Sequence, residues 1–385
     1  MTLVLRPITG PDELDLFNSL PYLLNTEVAD DLTAGRRHPH WLWVALRDGR
    51  VVARAGWWSR AHDPAPALLD IFDVADSAPA APGGTAHPDT AHPDTAHPDT
   101  AHPDTAHSDT AHSDTAHSDT AHSDSPHPDT AHHGSAAAAT RSGPASDTTR
   151  SGSGADAGRF DQAADALELL RVATAEVVPA ETTPPQHTRY LPPDWRNHER
   201  HRRPMEILEQ AGAKVFVERL RLEWLPQSPV PVASDRLTFR PPRDADELIG
   251  LMTQVLDGTL DTHSRDELRR MSAHESATGQ YHSELERYAT PHDWWRIGVL
   301  PSGEPVGFVI PAHNGYNPLI AYIGVVPAHR GKGYVADLLA TGTALLAAEN
   351  MPRVRAATDV GNTPMAAAFA RAGFRVFERQ IDMTW

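Results

Sequence analysis

Leu319-Ile320-Ala321-Tyr322-Ile323-Gly324-Val325-Val326 is a nearly continuous apolar run, and Pro327-Ala328-His329-Arg330-Gly331-Lys332-Gly333-Tyr334 follows it directly. Apolar residues without alternation read as a strand buried on both faces. Beyond the polar octet comes a helical pattern with apolar positions Val335, Leu338, Leu339, Leu345 and Leu346, so the octet joins a strand to the start of a helix. Glycines at 331 and 333 let backbone N–H groups converge with no Cβ in the way. A helix start adds four N–H groups without intrahelical partners and about half a positive charge. Arg330 and Lys332 add formal charge. Such a loop suits a phosphate; a plain glycine turn is the alternative reading.

The surrounding sequence alternates strand and helix signals. Leu237-Thr238-Phe239 reads as a strand and Asp244 to Leu256 as a helix. Arg296 to Leu300 and Val306 to Ile310 are strands joined across Ser302-Gly303, and Asn314-Gly315 is a hairpin-turn dipeptide. After the loop and its helix come a strand at Val354 to Thr358 and a helix with Met365, Ala368, Phe369 and Ala372 on one face. A final strand places Ile381, Met383 and Trp385 inward. Asn362 opens the last helix and Gly373-Phe374 closes it.

These residues carry a specific resemblance. Arg330-Gly331-Lys332-Gly333-Tyr334-Val335 resembles the Gln/Arg-x-x-Gly-x-Gly/Ala hallmark of the GNAT superfamily of acyl-CoA-dependent N-acyltransferases, with Val335 where Gly or Ala is usual. Asn362 and Gly373-Phe374 match a second hallmark, and the likeness covers roughly residues 235–385. It implies acetyl-CoA, or another acyl-CoA, as co-substrate, with no metal required. It implies that Arg330, Gly331, Lys332, Gly333, Tyr334, Val335 and Asn362 hold the cofactor. By the same likeness, backbone groups of Val325 and Val326 pair with its pantetheine arm as an added strand would. Asn362 also reads as a helix cap beside Thr363-Pro364.

The reaction implied is N-acylation of a small-molecule amine. An amine of pKa ~10.4 must give up a proton, at about 4.6 kcal/mol at pH 7, whereas a thiol of pKa ~8.5 leaves as thiolate for about 2. A base is therefore needed more than an acid. Many family members place a tyrosine acid seven residues after the Asn; here that position is Phe369. Asp359, at the end of its strand, and His313, in the hairpin, are the candidate bases. Tyr322 reads as a core residue, with a place in the cleft wall as the alternative. Without cysteine, direct attack of the amine on the thioester is the natural route. The alternative is a non-catalytic CoA-binding or regulatory module. The family's acceptor wall corresponds to Asp257 through Asp293, where eight acidic and four basic residues mildly favour a cationic acceptor.

The first half repeats the second. Leu5-Arg6-Pro7 with Asp12-Glu13-Leu14 returns as Phe239-Arg240-Pro241 with Asp246-Glu247-Leu248. Ala211-Gly212-Ala213-Lys214-Val215-Phe216 returns as Ala372-Gly373-Phe374-Arg375-Val376-Phe377, and Trp224 as Trp385. The expected architecture is α/β (α+β): two GNAT-like domains, each a mixed, mostly antiparallel sheet flanked by helices. A degenerate copy at 1–75 plus 159–228 precedes a catalytic copy at 235–385. Between the two parts of the first copy, 76–158 reads as a disordered linker. Its core repeats Thr-Ala-His-Pro/Ser-Asp, and residues 86–133 hold eleven His and nine Asp with no Lys or Arg. Such a composition has too little to bury to offset its ordering entropy. The apolar strand Leu68 to Val74 runs straight into this tract and shows no phosphate loop.

Cysteine is absent from the 385 residues and the net charge is −17. The acidity argues against a nucleic-acid partner. Met1-Thr2-Leu3-Val4-Leu5-Arg6 lacks a signal-peptide core, and no stretch reaches the ~20 apolar residues that cross a bilayer. A cytoplasmic protein without a membrane partner is expected, its oligomeric state left open.

Overall fold

The computed structural model describes residues 2–76 and 154–385, apart from His62, Pro64, Glu181 and Tyr316, and gives the backbone alone for 154–161. The repeat tract and most of the 76–158 linker lie outside the described residues. At the tract's far end the chain is helical from Gly154, inside the span assigned to the linker.

In the first half, strands β1 (Leu3–Pro7), β2 (Leu42–Arg47), β3 (Arg50–Trp58), β4 (Leu68–Val74), β5 (Gln186–Leu191) and β6 (Lys214–Trp224) alternate with helices. Helices α1 (Leu14–Phe17) and α2 (Val28–Thr33) follow β1. Helix α3 (Gly154–Val177) precedes β5, and α4 (Glu199–Gln210) precedes β6. The second half repeats this order with β7 (Thr238–Arg240), β8 (Arg296–Val299), β9 (Pro305–His313), β10 (Pro318–Val325), β11 (Val354–Asp359) and β12 (Arg375–Thr384). Its helices are α5 (Ala245–Leu256), α6 (Thr262–Glu267) and α7 (Ala273–Ser283) after β7, then α8 (Tyr334–Ala348) and α9 (Thr363–Arg371).

The duplication extends to side chains. Arg6 forms a bidentate pair with Glu13, which also accepts from the Thr9 N–H at 2.7 Å. Arg240 does the same with Glu247, which accepts from the Arg243 N–H at 2.8 Å. The arginine bonds, above all, push each glutamate down to about 2. Each pair ties the first strand of its copy to the start of the first helix.

All twelve strands form one sheet in the order β1-β2-β3-β4-β5-β12-β6-β11-β10-β9-β8-β7. Neighbours are antiparallel except β4 with β5 and β10 with β11. Reading the order from the other end and exchanging the copies leaves it unchanged, so the sheet has a pseudo-twofold axis between β12 and β6. The mixed, mostly antiparallel fold stands as expected. The sequence did not reveal that each copy surrenders its last strand to the other. Strand β6 pairs with β11 and β12 with β5. Cores follow strands: Ile381 and Met383 pack into the first copy's core with Trp385 against it, while Leu222 and Trp224 pack into the second's. Strand β12 was read as alternating, yet Gln380 and Asp382 are as buried as Ile381 and Met383. A strand at the centre of a sheet covered on both faces has no outward side.

Candidate active site

Strands β10 and β11 meet at Leu319 and Arg355. Past that point a cavity of about 450 Å³ opens between them, a size that suits a small-molecule site. The apolar run of β10 is accordingly not buried on both faces. Ala321, Tyr322, Ile323 and Val325 are half-buried because they wall a cleft. Val325, Arg330, Gly331, Gly333, Tyr334, Val335 and Asn362 all line this one cavity.

The loop is shaped by its glycines. Gly331 and Gly333 have φ of +75° and +81°, and Gly333 is the N-cap of α8. No side chain caps this helix start, so its first N–H groups face the cavity end. Asp337, in the first turn, would oppose an anion, but Arg236 neutralises it at 2.6 Å while donating to the Lys332 carbonyl at 2.9 Å. Arg236 also lies over the Tyr334 ring, so the loop has a cation that its own motif does not contain.

Arg330 lines the cavity and also has a structural task. Its guanidinium donates to the carbonyls of Val255 at 2.7 Å, Asp257 at 2.6 Å and Val325 at 3.0 Å. It thus binds the C-terminal end of α5 to the end of β10. Lys332 turns back, giving its ammonium to the Ala328 carbonyl at 2.9 Å, and does not line the cavity. Val326 does not line it either: its N–H donates to Val306 O and its carbonyl accepts from His329. Asn362 caps α9 through Met365 N at 3.4 Å and lines the cavity as well.

Neither candidate base reaches the cavity lining. His313 Nδ1 accepts from Gly315 N at 3.0 Å and closes the hairpin. Asp359 is buried; it accepts from Thr262 N at 2.7 Å and pairs with Arg219 at 3.3 Å. Apart from His329, Arg330 and Tyr334 of the loop region, the titratable groups that line the cavity are Asp261, His263, Glu267 and Tyr322, together with Arg219. Arg219 belongs to β6 and so comes from the first copy. Burial would raise the Asp261 carboxyl, but Arg219, the Ser264 N–H and hydroxyl, and His263 outweigh it and hold it below the usual carboxylate range. Burial pushes the Tyr322 phenol up, and Asp261, Glu284 and Glu267 add to this. Phe369 lines the cavity and packs edge-on against Phe374. Of the acidic residues from Asp257 to Asp293, Asp261 and Glu267 line the cavity. Others hold local structure, as Asp266 does with Arg269 and Arg270 and Glu275 in a capping box.

In the first copy the same gap is filled. Counting from the paired registers, Arg189 on β5 stands where Thr358 stands on β11, and Asp73 where Gly324 stands. Arg189 reaches across to the Phe72 carbonyl at 2.8 Å and Asp73 at 2.6 Å. Tyr22 covers that guanidinium, and its hydroxyl accepts from Tyr190 N at 3.1 Å. Arg54 also binds Asp73 at 2.9 Å.

Residues 236–375 match the family profile described as acetyltransferase (GNAT) domain. A comparison with curated proteins found no match. Among solved structures, the chain is similar to a GCN5-related N-acetyltransferase from Sphaerobacter thermophilus, at 14% identity and a TM-score of 0.47, covering 99% of this chain and 94% of that one. It is similar to a tandem GNAT protein from the clavulanic acid biosynthesis pathway, at 16% identity and a TM-score of 0.42, covering 100% and 98%. A GNAT-family acetyltransferase from Colwellia psychrerythraea has 9% identity and a TM-score of 0.40, covering 99% of each chain. Residues 236–375 are a GNAT acetyltransferase domain, and the chain is a tandem in which that domain follows a second, GNAT-like copy of the same fold.

Proposed function

We propose that this chain transfers an acetyl group from acetyl-CoA to the amine of a small molecule, by direct attack and at one site, in the second copy. The observation that carries this reading is the glycine loop at the uncapped start of α8, opening on the same cavity as the gap between β10 and β11. Gly331, Gly333 and the first turn of α8 would hold the pyrophosphate, with Arg236 cancelling the charge of Asp337 nearby. Asn362 and the exposed edge of β10 at Val325 would flank the pantetheine arm.

One site per chain follows from the contrast between the copies. A guanidinium and a carboxylate, covered by a phenol, fill the first gap where a threonine and a glycine leave the second open. On the far side of Arg219 lies a smaller cavity, of about 90 Å³, that shares Arg219, Ile320, Ala321 and Ala357 with the large one. Tyr288, Asn314 and Asn317 line it, and it gives the acceptor a route that does not cross the phosphate loop.

The test uses the intact protein, acetyl-CoA and a panel of small amines, with free thiol and product mass followed together. Thiol release that depends on the amine and yields its acetylated form is expected. Binding of CoA without amine-dependent release would identify a binding module instead.

A further inference from the structure

Three arginines line the smaller cavity: Arg219 and Arg221 of β6 and Arg355 of β11. Arg221 stands opposite Ala357, Arg219 opposite Asp359 and Glu223 opposite Arg355, so all three guanidinium groups rise from one face of the sheet. Their partner carboxylates are Asp359 at 3.3 Å, Glu378 at 2.8 Å and Glu223 at 2.8 Å. None of these three belongs to the described lining, where Glu284 is the one acidic residue. Two of the pairs are poorly aligned: Arg219 Nε and Arg355 Nη1 are buried and make no hydrogen bond among the described residues. Asn317 Oδ1, in the same lining, is buried and unpartnered too. Buried polar atoms left open in a cavity wall point to a polar occupant. The Phe377 ring centre lies 3.7 Å from the Arg355 guanidinium carbon, and Arg221 lies over the Tyr190 ring. Stacking occupies the faces of a guanidinium and leaves its N–H edges for a planar anion. Burial, with Arg353 and Arg221 near, brings Arg355 down to about 10 although Glu223 opposes the shift. Its charge is costly where it stands, and an entering anion would relieve it.

We infer that the smaller cavity binds a carboxylate of the acceptor through Arg355, Arg221 and Arg219, so that the acceptor is an amino acid; this rests on the acetyltransferase reading above and narrows it. The two cavities meet at Arg219, Ile320, Ala321 and Ala357, where the alanines leave room for a chain to pass. The large cavity presents the carboxylates of Asp261 and Glu267, and the smaller one presents the three guanidinium groups. An acceptor lying across the junction meets both signs, which orients a zwitterion end for end. The carboxylate then anchors the molecule with its amine in the large cavity, where the cofactor's thioester would lie. Because β6 comes from the first copy, that copy supplies two of the three anchoring arginines.

The experiment measures kcat/KM of the intact chain for the common α-amino acids, β-alanine, 4-aminobutyrate and 6-aminohexanoate, each against the amine that lacks its carboxylate. The best amino acid should exceed its matched amine by about 10- to 100-fold, the range for a hydrogen-bonded charged group. Arg355→Gln should cut that ratio by about tenfold. Glu223 keeps Arg375 at 2.7 Å in this variant, so its carboxylate is not stranded. Damage to packing alone would slow both acceptors alike, and a ratio unchanged within threefold overturns the proposal. Should the variant fail to melt cooperatively, inhibition of the unmodified chain decides. The deaminated acid of the best acceptor should compete with it at least tenfold more tightly than the matching carboxamide; equal inhibition overturns the proposal. Acetylation of amines with no carboxylate preference beyond threefold also overturns it and leaves the acetyltransferase reading standing. A chain that acetylates neither series points instead to failure of that reading.

Discussion

His187, on β5, is fully buried, and its Nδ1 lies 2.7 Å from the Leu69 carbonyl. A carbonyl accepts, so Nδ1 carries the proton, and Nε2 has no hydrogen-bond partner among the described residues. Burial, with Arg189 close by, holds this imidazole down at about 4. An unfolded histidine titrates near 6.5. Above that pH the residue is neutral in both states and has no effect on the balance. Below it the unfolded chain takes up a proton that the native protein refuses. Stability therefore falls as pH drops from about 6.5 towards 4, by on the order of 3 kcal/mol, and the effect levels off beneath. His187→Asn keeps a donor for Leu69 and does not titrate. Denaturant unfolding at pH 7 and at pH 4.5 should show a smaller loss in the variant by roughly 2–3 kcal/mol; equal losses would refute the assignment. Arg219 and Arg355 share with His187 the reason they were not legible in the sequence. Each acts on a residue far away along the chain, through strand pairings that no local pattern announces. Gly331, Gly333 and Asn362 were legible because a positive φ and a helix cap are local demands.

Elements show the same division. Helix α5, strand β10 and the β9–β10 hairpin were readable from Asp244, from an apolar run and from Asn314-Gly315. What docks α5 was not, because the motif arginine had been assigned to the cofactor. Arg330 instead satisfies carbonyls at the C-terminal end of α5 and at the end of β10, groups that a helix end leaves without partners. Arg330→Ala should lower stability by roughly 1–3 kcal/mol, the range for hydrogen bonds to a charged group, even in the absence of CoA. It should also weaken acetyl-CoA binding, because the loop begins at the same residue. Thermal melts with and without CoA decide the matter. A variant that melts like the unmodified protein and loses affinity alone would return the arginine to the phosphate.

At the scale of the molecule, neither half is complete alone. The second copy needs β6 between β11 and β12, and the first needs β12 against β5. Residues 235–385 expressed by themselves should be insoluble or fail to melt cooperatively, and co-expression with 1–234 should recover a soluble complex. An autonomous, cooperatively melting 235–385 fragment would show that β12 can close its own sheet. The sequence located both copies, through Arg6-Glu13 and Arg240-Glu247, but repeated strands cannot say which copy each final strand will join. The exchange also sets a clock. Strand β12 is synthesised long after β5, so the first copy's core lacks Ile381 and Met383 until β12 has been made. At about 5–20 residues per second, the edge of β5 stays open for roughly 10–40 s after it emerges. During that interval a nascent chain offers a neighbour on the same message the edge that its own β12 will later occupy. Crowded polysomes are where this open edge is exposed to pairing with the wrong copy of itself.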